Sequence, residues 1–284
     1  MSAPMSITAN DAALDGPTRT WSRYRHPRST IRFAALLALL AFLGYSVAFL
    51  NIDLSRILGA FPRLAMILAT RYAPPDLAYI SDWDFIRSVV RTLEMSLLGG
   101  VLGVVCSIPL AWLAARNITV SRRIAYPLGR FAIMGSRSIH ETIWTILFVT
   151  VLGFGMLAGV LALTLFCIGF AGKLFSDELE AIDMGPVEAM RSVGASPLQV
   201  FQYAVLPQIR VAFTGIAIYT WDVAFRAATV VGFFGGGGMG WYLKRTTQQL
   251  ESHRVAAILL VIIGLVLLAE IGSGWLRRKI AVMR

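Results

Sequence analysis

The sequence predicts an all-α integral membrane protein with six transmembrane helices, and three observations carry that prediction. Of its 284 residues, 57% are hydrophobic and only 15% are charged, against about 25% charge in an average soluble domain. With a mean hydropathy of +0.68, the chain has too little polar surface to cover itself as a water-soluble globule. Uncharged runs recur along it at lengths near the roughly 20 residues that a helix needs to cross about 30 Å of hydrocarbon. The 26 Lys and Arg against 16 Asp and Glu give a net charge of +10, which in an apolar chain points to basic membrane-flanking loops and not to nucleic acid.

The elements follow in order. Residues 1–32 are rich in Ser, Thr, Pro, Asp and Arg without an apolar period and form a polar tail. Phe33–Leu50, 18 uncharged residues, is the first crossing, an uncleaved anchor by its length and its long polar lead. Residues 51–87 read as an extracytoplasmic loop. Met95–Ala115 is the second crossing, beginning a turn or two earlier near Val89.

Thr142–Gly172 is 31 residues without a charge, about 46 Å as one straight helix and too long for the bilayer. Extended back to Phe131, it supplies two crossings with a turn at Gly153, Gly155 and Gly159, and Arg137 and Glu141 interrupt the first of them. After a polar segment comes a fifth crossing at Leu206–Arg226. Val255–Leu276, broken only by Glu270, is the sixth, and 273–284 is a basic tail. With the N-terminus inside, 16 of the 26 basic residues fall on the cytoplasmic side and 9 outside, with Arg137 within a span; the bias puts both termini in the cytoplasm.

The polar segment between the fourth and fifth crossings has helix-end chemistry throughout. Pro186 suits a first helical position, Glu188 puts a negative charge in the first turn, and Gly194 is placed to cap the C-terminus. Ser196 and Pro197 open a second helix as N-cap and first residue. The result is a short helix, a glycine turn and a second helix leading into the fifth crossing, an element suited to a groove on a soluble partner.

Glu188-Ala189-Met190, three residues, Gly194, nine residues and Ala204-Val205-Leu206-Pro207 resemble the EAA loop of bacterial binding-protein-dependent ABC importer permeases. It departs from the pattern at Met190, usually alanine, and at Ala204, usually isoleucine. Arg137-Ser138-Ile139-His140-Glu141 before Trp144, with histidine where proline is usual, is similar to the phosphonate-import branch. So are Gly185-Pro186-Val187-Glu188-Ala189 and Arg226-Ala227-Ala228-Thr229 before a glycine cluster.

The resemblance covers roughly 87–272. It implies a type I ABC importer permease fold, with residues 88–272 as its transmembrane core and 185–207 as the cytoplasmic coupling element. In that element Gly185, Glu188, Ala189, Gly194, Leu206 and Pro207 are the ATPase-coupling residues. It further implies a homodimer in the bacterial inner membrane, two cytoplasmic ATPase subunits carrying ATP and Mg, an extracytoplasmic binding protein, and import of phosphonates or related phosphorus oxyanions by alternating access.

Charged residues within spans cost on the order of 2.5–3.5 kcal/mol each and face a cavity or one another. Arg137 with Glu141, and Asp222 with Arg226, stand four apart, the spacing of neighbours on one helix face. Two readings stand for each: a structural ion pair, or an arginine lining the translocation path, where guanidinium suits an oxyanion. The glycine run from Gly235 to Gly240 satisfies a dinucleotide pattern only formally, because no strand–helix unit accompanies it. Ala227–Leu243 reads as a flexible outer segment shaping a gate, or as an ordinary glycine-rich loop.

No phosphate-binding loop precedes a lysine: Trp241 follows Gly240, and Lys173 follows Gly172 without the earlier glycine. The chain is therefore expected to be no enzyme, to hydrolyse no ATP and to bind no cofactor. Cys106 and Cys167 sit in uncharged stretches and read as packing residues, and the histidines at 26, 140 and 253 form no metal or catalytic set. Gly99-xxx-Gly103 and Gly155-xxx-Gly159 permit close helix contact. A rival class, an ion-coupled secondary transporter of a small anion, is expected to show two similar halves, which the sequence lacks.

Overall fold

The computed structural model describes residues 27–50 and 54–282; most of the expected polar tail at 1–32, including His26, lies outside them. All regular structure among the described residues is helical. The chain divides into two units, residues 1–65 and 66–284.

The first unit contains α1 (Pro27–Phe49) and most of α2 (Leu54–Ile67). Helix α1 has no polar face within Phe33–Phe49 other than Tyr45 and Ser46, and its Leu36, Leu40, Phe42 and Phe49 are all exposed. A helix that is apolar all round belongs in lipid. The expected loop at 51–87 is instead largely helical. A π turn at Leu68–Tyr72 continues α2, and α3 (Leu77–Ile80) is capped by Asp76, whose side chain accepts from the Tyr79 amide at 3.3 Å.

The second unit is built around three long helices, α4 (Trp83–Ala114), α7 (Met156–Glu180) and α10 (Leu206–Val231), which pack against one another. Helix α4 lies closest to α7 because its glycines allow it. A methyl at Gly103 would overlap the Cys167 side chain, and one at Gly99 would come within 2.6 Å of Leu163 Cβ. In lipid, where no hydrophobic effect draws helices together, this backbone proximity supplies the van der Waals contact. Cys167 is fully buried in that seam, as expected of a packing residue, whereas Cys106 is exposed.

Five described helices are long and apolar enough to cross a membrane. The crossing expected between the second and fourth is two short helices, α5 (Ala125–Ser138) and α6 (Glu141–Leu152), broken at Ile139–His140. Both pack on α7. The turn before α7 falls at Gly153 and Gly155, but Gly159 lies inside α7, against Met95.

The fifth crossing is longer than expected. Helix α9 (Pro197–Val200), a π turn at Phe201–Val205 and α10 run together into a second π turn at Gly232–Gly236. Pro207 explains the first π turn. It has no amide to give the Tyr203 carbonyl, and the Leu206 amide reaches back five residues to the Phe201 carbonyl.

Helix α11 (Met239–Gln248) and α12 (Ser252–Val282) complete the unit, with α12 packed on α10, α11 and α3. Phe85, Tyr79 and Tyr242 form an aromatic group at this end, with the Arg254 guanidinium 4.9 Å above the Tyr79 ring. Burial, the largest cause, pushes both tyrosine hydroxyls above their ordinary range.

Candidate functional site

The polar segment between α7 and α10 folds as a helix and a turn anchored under the membrane helices. Helix α8 (Met184–Ser192) starts two residues earlier than Pro186 predicts, because Asp183 is its N-cap and accepts from the Gly185 amide at 2.9 Å. Pro186 therefore sits at the third helical position, where a missing amide still costs no helical bond, and Glu188 stands in the second turn. The far end is a Schellman motif: the Ala195 amide bonds the Met190 carbonyl at 3.1 Å and the Gly194 amide bonds the Arg191 carbonyl at 3.0 Å. Gly194 has φ +80° and open space around it, so the backbone angle, not crowding, is what calls for glycine.

Ser196 then forms a full capping box with Gln199, at 2.8 and 3.4 Å. One side of the element is buried and the other open. Val187 is 0% exposed and joins Ala111, Phe175, Leu179, Val200 and Val205 in a core at the membrane-helix ends, a burial worth roughly 1.5–3 kcal/mol. Gly185, Glu188 and Ala189 are exposed, and so are Val193, at 80%, and Leu198. Leu206 and Pro207 are also exposed, at the entry to α10. A cavity of about 320 Å³ separates the turn from the chain after α4, lined by Trp112, Ile118, Thr119, Val120 and Arg191 among others.

Several positioning residues carry no motif signal. Gln208 accepts from the Asp183 amide at 2.9 Å and donates to the Asp183 carbonyl at 3.2 Å and to the Ala204 carbonyl at 2.7 Å. One side chain thus fastens the start of α8 to the start of α10. Glu180 accepts from the Arg116 amide at 2.9 Å and from Arg130 at 2.7 Å, and Asn117 donates to the Leu179 carbonyl at 2.7 Å. These bonds tie the ends of α4, α5 and α7 beside the element. The only sequence signal for Gln208 is its position one residue after Leu206-Pro207.

The two charge pairs diverge. Arg226 donates to Asp222 at 3.0 Å on one face of α10, where the Asp222 side chain is 3% exposed and that of Arg226 40%. The second Asp222 carboxylate oxygen is buried without a partner among the described residues.

Arg137 and Glu141 do not pair, which corrects the expectation of a shared helix face. Arg137 lies in the last turn of α5, Glu141 begins α6, and the extended residues Ile139 and His140 lie between. His140 caps α6, its Nδ1 accepting from the Thr142 amide at 3.3 Å and lying 3.4 Å from Glu141. Glu141 is 13% exposed on its side chain, whereas Arg137 is exposed and has no ion pair among the described residues. The Arg137 backbone is held against Gly169 of α7.

The segment expected as an outer gate or loop at Ala227–Leu243 is a packed turn. Ala227 and Ala228 lie buried in α10, Gly235 sits under Phe154, and the Met239 amide donates to Thr92 of α4 at 2.9 Å. A methyl at Gly240 would overlap the Thr229 carbonyl, so this position is glycine because α11 folds back on the end of α10.

The sequence matches the model of the binding-protein-dependent transport system inner membrane component over residues 107–282. It is 42% identical over 227 residues to a phosphite transport system permease protein of Stutzerimonas stutzeri, covering 80% of this chain and 81% of that one. It is 36% identical to a phosphate-import permease protein of Mycolicibacterium smegmatis over 78% of this chain and 41% of the relative. In fold it resembles the inward-facing methionine ABC transporter, with a TM-score of 0.59 at 23% identity over 70% of this chain and 96% of that one. A bacterial alginate ABC transporter matches with a TM-score of 0.58 at 16% identity over 89% of this chain and 99% of that one. The helical core, the α8–α9 element on its end and these likenesses converge: the chain is a multi-pass membrane permease of the binding-protein-dependent transport family, with the type I ABC importer fold.

Proposed function

We propose that this permease imports phosphonates or related phosphorus oxyanions across the bacterial inner membrane by alternating access. It works as a homodimer with both termini in the cytoplasm, with two ATPase subunits that hold ATP and Mg, and with an extracytoplasmic binding protein. The observation that carries the substrate class is the 42% identity to a phosphite permease over four-fifths of the chain. The chain itself binds no cofactor and hydrolyses no ATP.

In this reading α8 is the coupling helix. Its exposed Glu188, Ala189 and Gly185 meet the ATPase, and the Schellman turn at Gly194 fixes the angle to α9. Gln208 and Val187 make the element move with α10 and the membrane-helix ends instead of hinging freely. Closure of the ATPases draws the two coupling elements together, and the rigid path through Gln208, Leu206 and Pro207 turns the helices outward. Arg137, exposed and free of an ion pair among the described residues, offers its guanidinium to the oxyanion. Arg226 keeps one side engaged by Asp222, and the turn from Gly235 to Gly240 shapes the outer gate.

Two measurements test the reading. The cognate binding protein is expected to bind phosphonate, phosphite or phosphate at least tenfold more tightly than sulfate, and binding none of the three removes the substrate class. Glu188→Lys is expected to abolish uptake at unchanged levels of membrane-inserted chain and to reduce ATPase copurification; wild-type uptake in that variant removes the coupling assignment.

A further inference from the structure

Helix α2 lies outside the residues matched by the family model and plays no part in the coupling or charge sites. Over Leu54–Ala65 its side chains sort by face. At about 100° per residue, Arg56 and Arg63, seven apart, fall on the same line. Leu58 and Phe61 fall on the opposite side, with Phe61 about 160° from Arg63, and Leu64 lies on the flank, about 80–100° from the two arginines. Both sets are exposed in the structure, Leu58 at 64% and Phe61 at 70%. This contrasts with α1, which is apolar on every side.

Three facts fix the setting. Residues Thr30–Phe49 of α1 are long and apolar enough to cross the bilayer. Only three residues separate Leu50 from Leu54, a reach of at most about 14 Å, so α2 starts in or beside the headgroup layer where α1 leaves the hydrocarbon. Spanning is disfavoured, because two arginines would enter the membrane and Pro62 removes the amide that would satisfy the Leu58 carbonyl. At an interface that carbonyl meets water.

We infer that α2 lies flat in the membrane interface, with Leu58 and Phe61 in the acyl boundary, Leu64 at its edge, and Arg56 and Arg63 on anionic lipid headgroups. The occupant of its apolar face is the lipid surface, chosen by the charge of the opposite face and by continuity with the lipid-exposed α1. Such helices bind by buried apolar area plus attraction to anionic lipid.

The test uses the full chain with its ATPase, reconstituted in vesicles of phosphatidylglycerol and phosphatidylcholine. Cys106→Ser and Cys167→Ala remove the native thiols, and uptake by that background confirms assembly. Single cysteines replace Leu58, Phe61, Gly59 or Arg63; a side chain at Gly59 meets no atom within 4 Å. Each is spin-labelled and its accessibility to oxygen and to a water-soluble nickel chelate is compared.

Labels at 58 and 61 are expected to favour oxygen and those at 59 and 63 nickel. Oxygen alone at all four positions would mean a spanning helix, nickel alone an aqueous loop, and shielding from both a face covered by protein; each overturns the inference. Each arginine near an anionic surface is worth about fivefold in partitioning. Vesicles of phosphatidylcholine alone, or the Arg56→Gln/Arg63→Gln pair in mixed vesicles, are therefore expected to raise nickel exposure at 61 several-fold. No rise in either overturns the headgroup contact.

Discussion

Arg137 with Glu141 and Asp222 with Arg226 have the same spacing of four residues, and only the second pair meets. Asp222 and Arg226 share a face of the unbroken helix α10 at 3.0 Å. Arg137 and Glu141 have the same spacing, but the helix stops at Ser138 and restarts at Glu141. A spacing of four is a statement about a face only while the helix continues. The break turns two charges that would neutralise each other into a half-buried carboxyl beside His140 and an open guanidinium. The α10 pair holds its carboxylate's charge within the core, whereas Arg137 is exposed without an ion pair among the described residues, which is what the proposed contact with an oxyanion requires.

The largest expected effect follows from the intact pair. Arg226→Gln leaves the 3% exposed Asp222 without compensation, a loss of about 2–4 kcal/mol, below the full penalty of a buried pair because the Arg226 side chain is 40% exposed. The yield of assembled, detergent-stable permease is expected to collapse. Adding Asp222→Asn removes the stranded charge and is expected to restore most of the yield. A single variant as stable as the parent, or a double variant no better than the single, would break the distinction between the two pairs.

The legibility of the two regions differed for the same reason. The α8–α9 element could be read from the sequence because its determinants are local: Gly194, Ser196 and Pro197 act within four residues of themselves, and the helix ends they predict stand in the structure. Its start was misplaced because Asp183 competes with Pro186 for the helix end, and its anchor, Gln208, bonds across 25 residues, where no periodicity reports. The third crossing reads as one span interrupted only by the charges of Arg137 and Glu141, because Ile139 and His140 are apolar or neutral enough to pass as helix. Only the extended backbone at His140, with its ring on the Thr142 amide, shows the interruption. The glycine run reads as a loop because composition alone does not reveal that the Thr229 carbonyl and Phe154 lie where side chains would go.

The open arginine gives the next effect, in transport and not in stability. Arg137→Gln changes an exposed side chain without an ion pair among the described residues, so stability is expected to move by less than about 0.5 kcal/mol. A charge-assisted bond to an oxyanion is worth about 1.5–3 kcal/mol, so uptake of the carried anion is expected to fall tenfold or more. Unchanged uptake at parental protein levels would sink the path assignment. A smaller effect tests the break itself: His140→Ala removes the cap of α6 and is expected to cost about 1 kcal/mol, read as a lower midpoint of thermal unfolding in detergent.

The smallest effect is the most specific test of what the break requires. His140 has φ −67°, the angle to which proline is locked, and Ile139 before it is extended at φ −106° and ψ 126°, as a residue preceding proline must be. Its own amide donates to no protein group among the described residues. His140→Pro therefore removes the cap, which costs about 1 kcal/mol. It also removes freedom from the unfolded chain, which returns about 0.4–1 kcal/mol. The two nearly cancel, and stability and uptake are both expected to stay within about 0.5 kcal/mol of the parent. A proline variant that loses much more than the alanine variant would mean that α5 and α6 join into one helix during transport. Arg137 and Glu141 would then meet after all, and the contrast between the two pairs would belong to one conformation only.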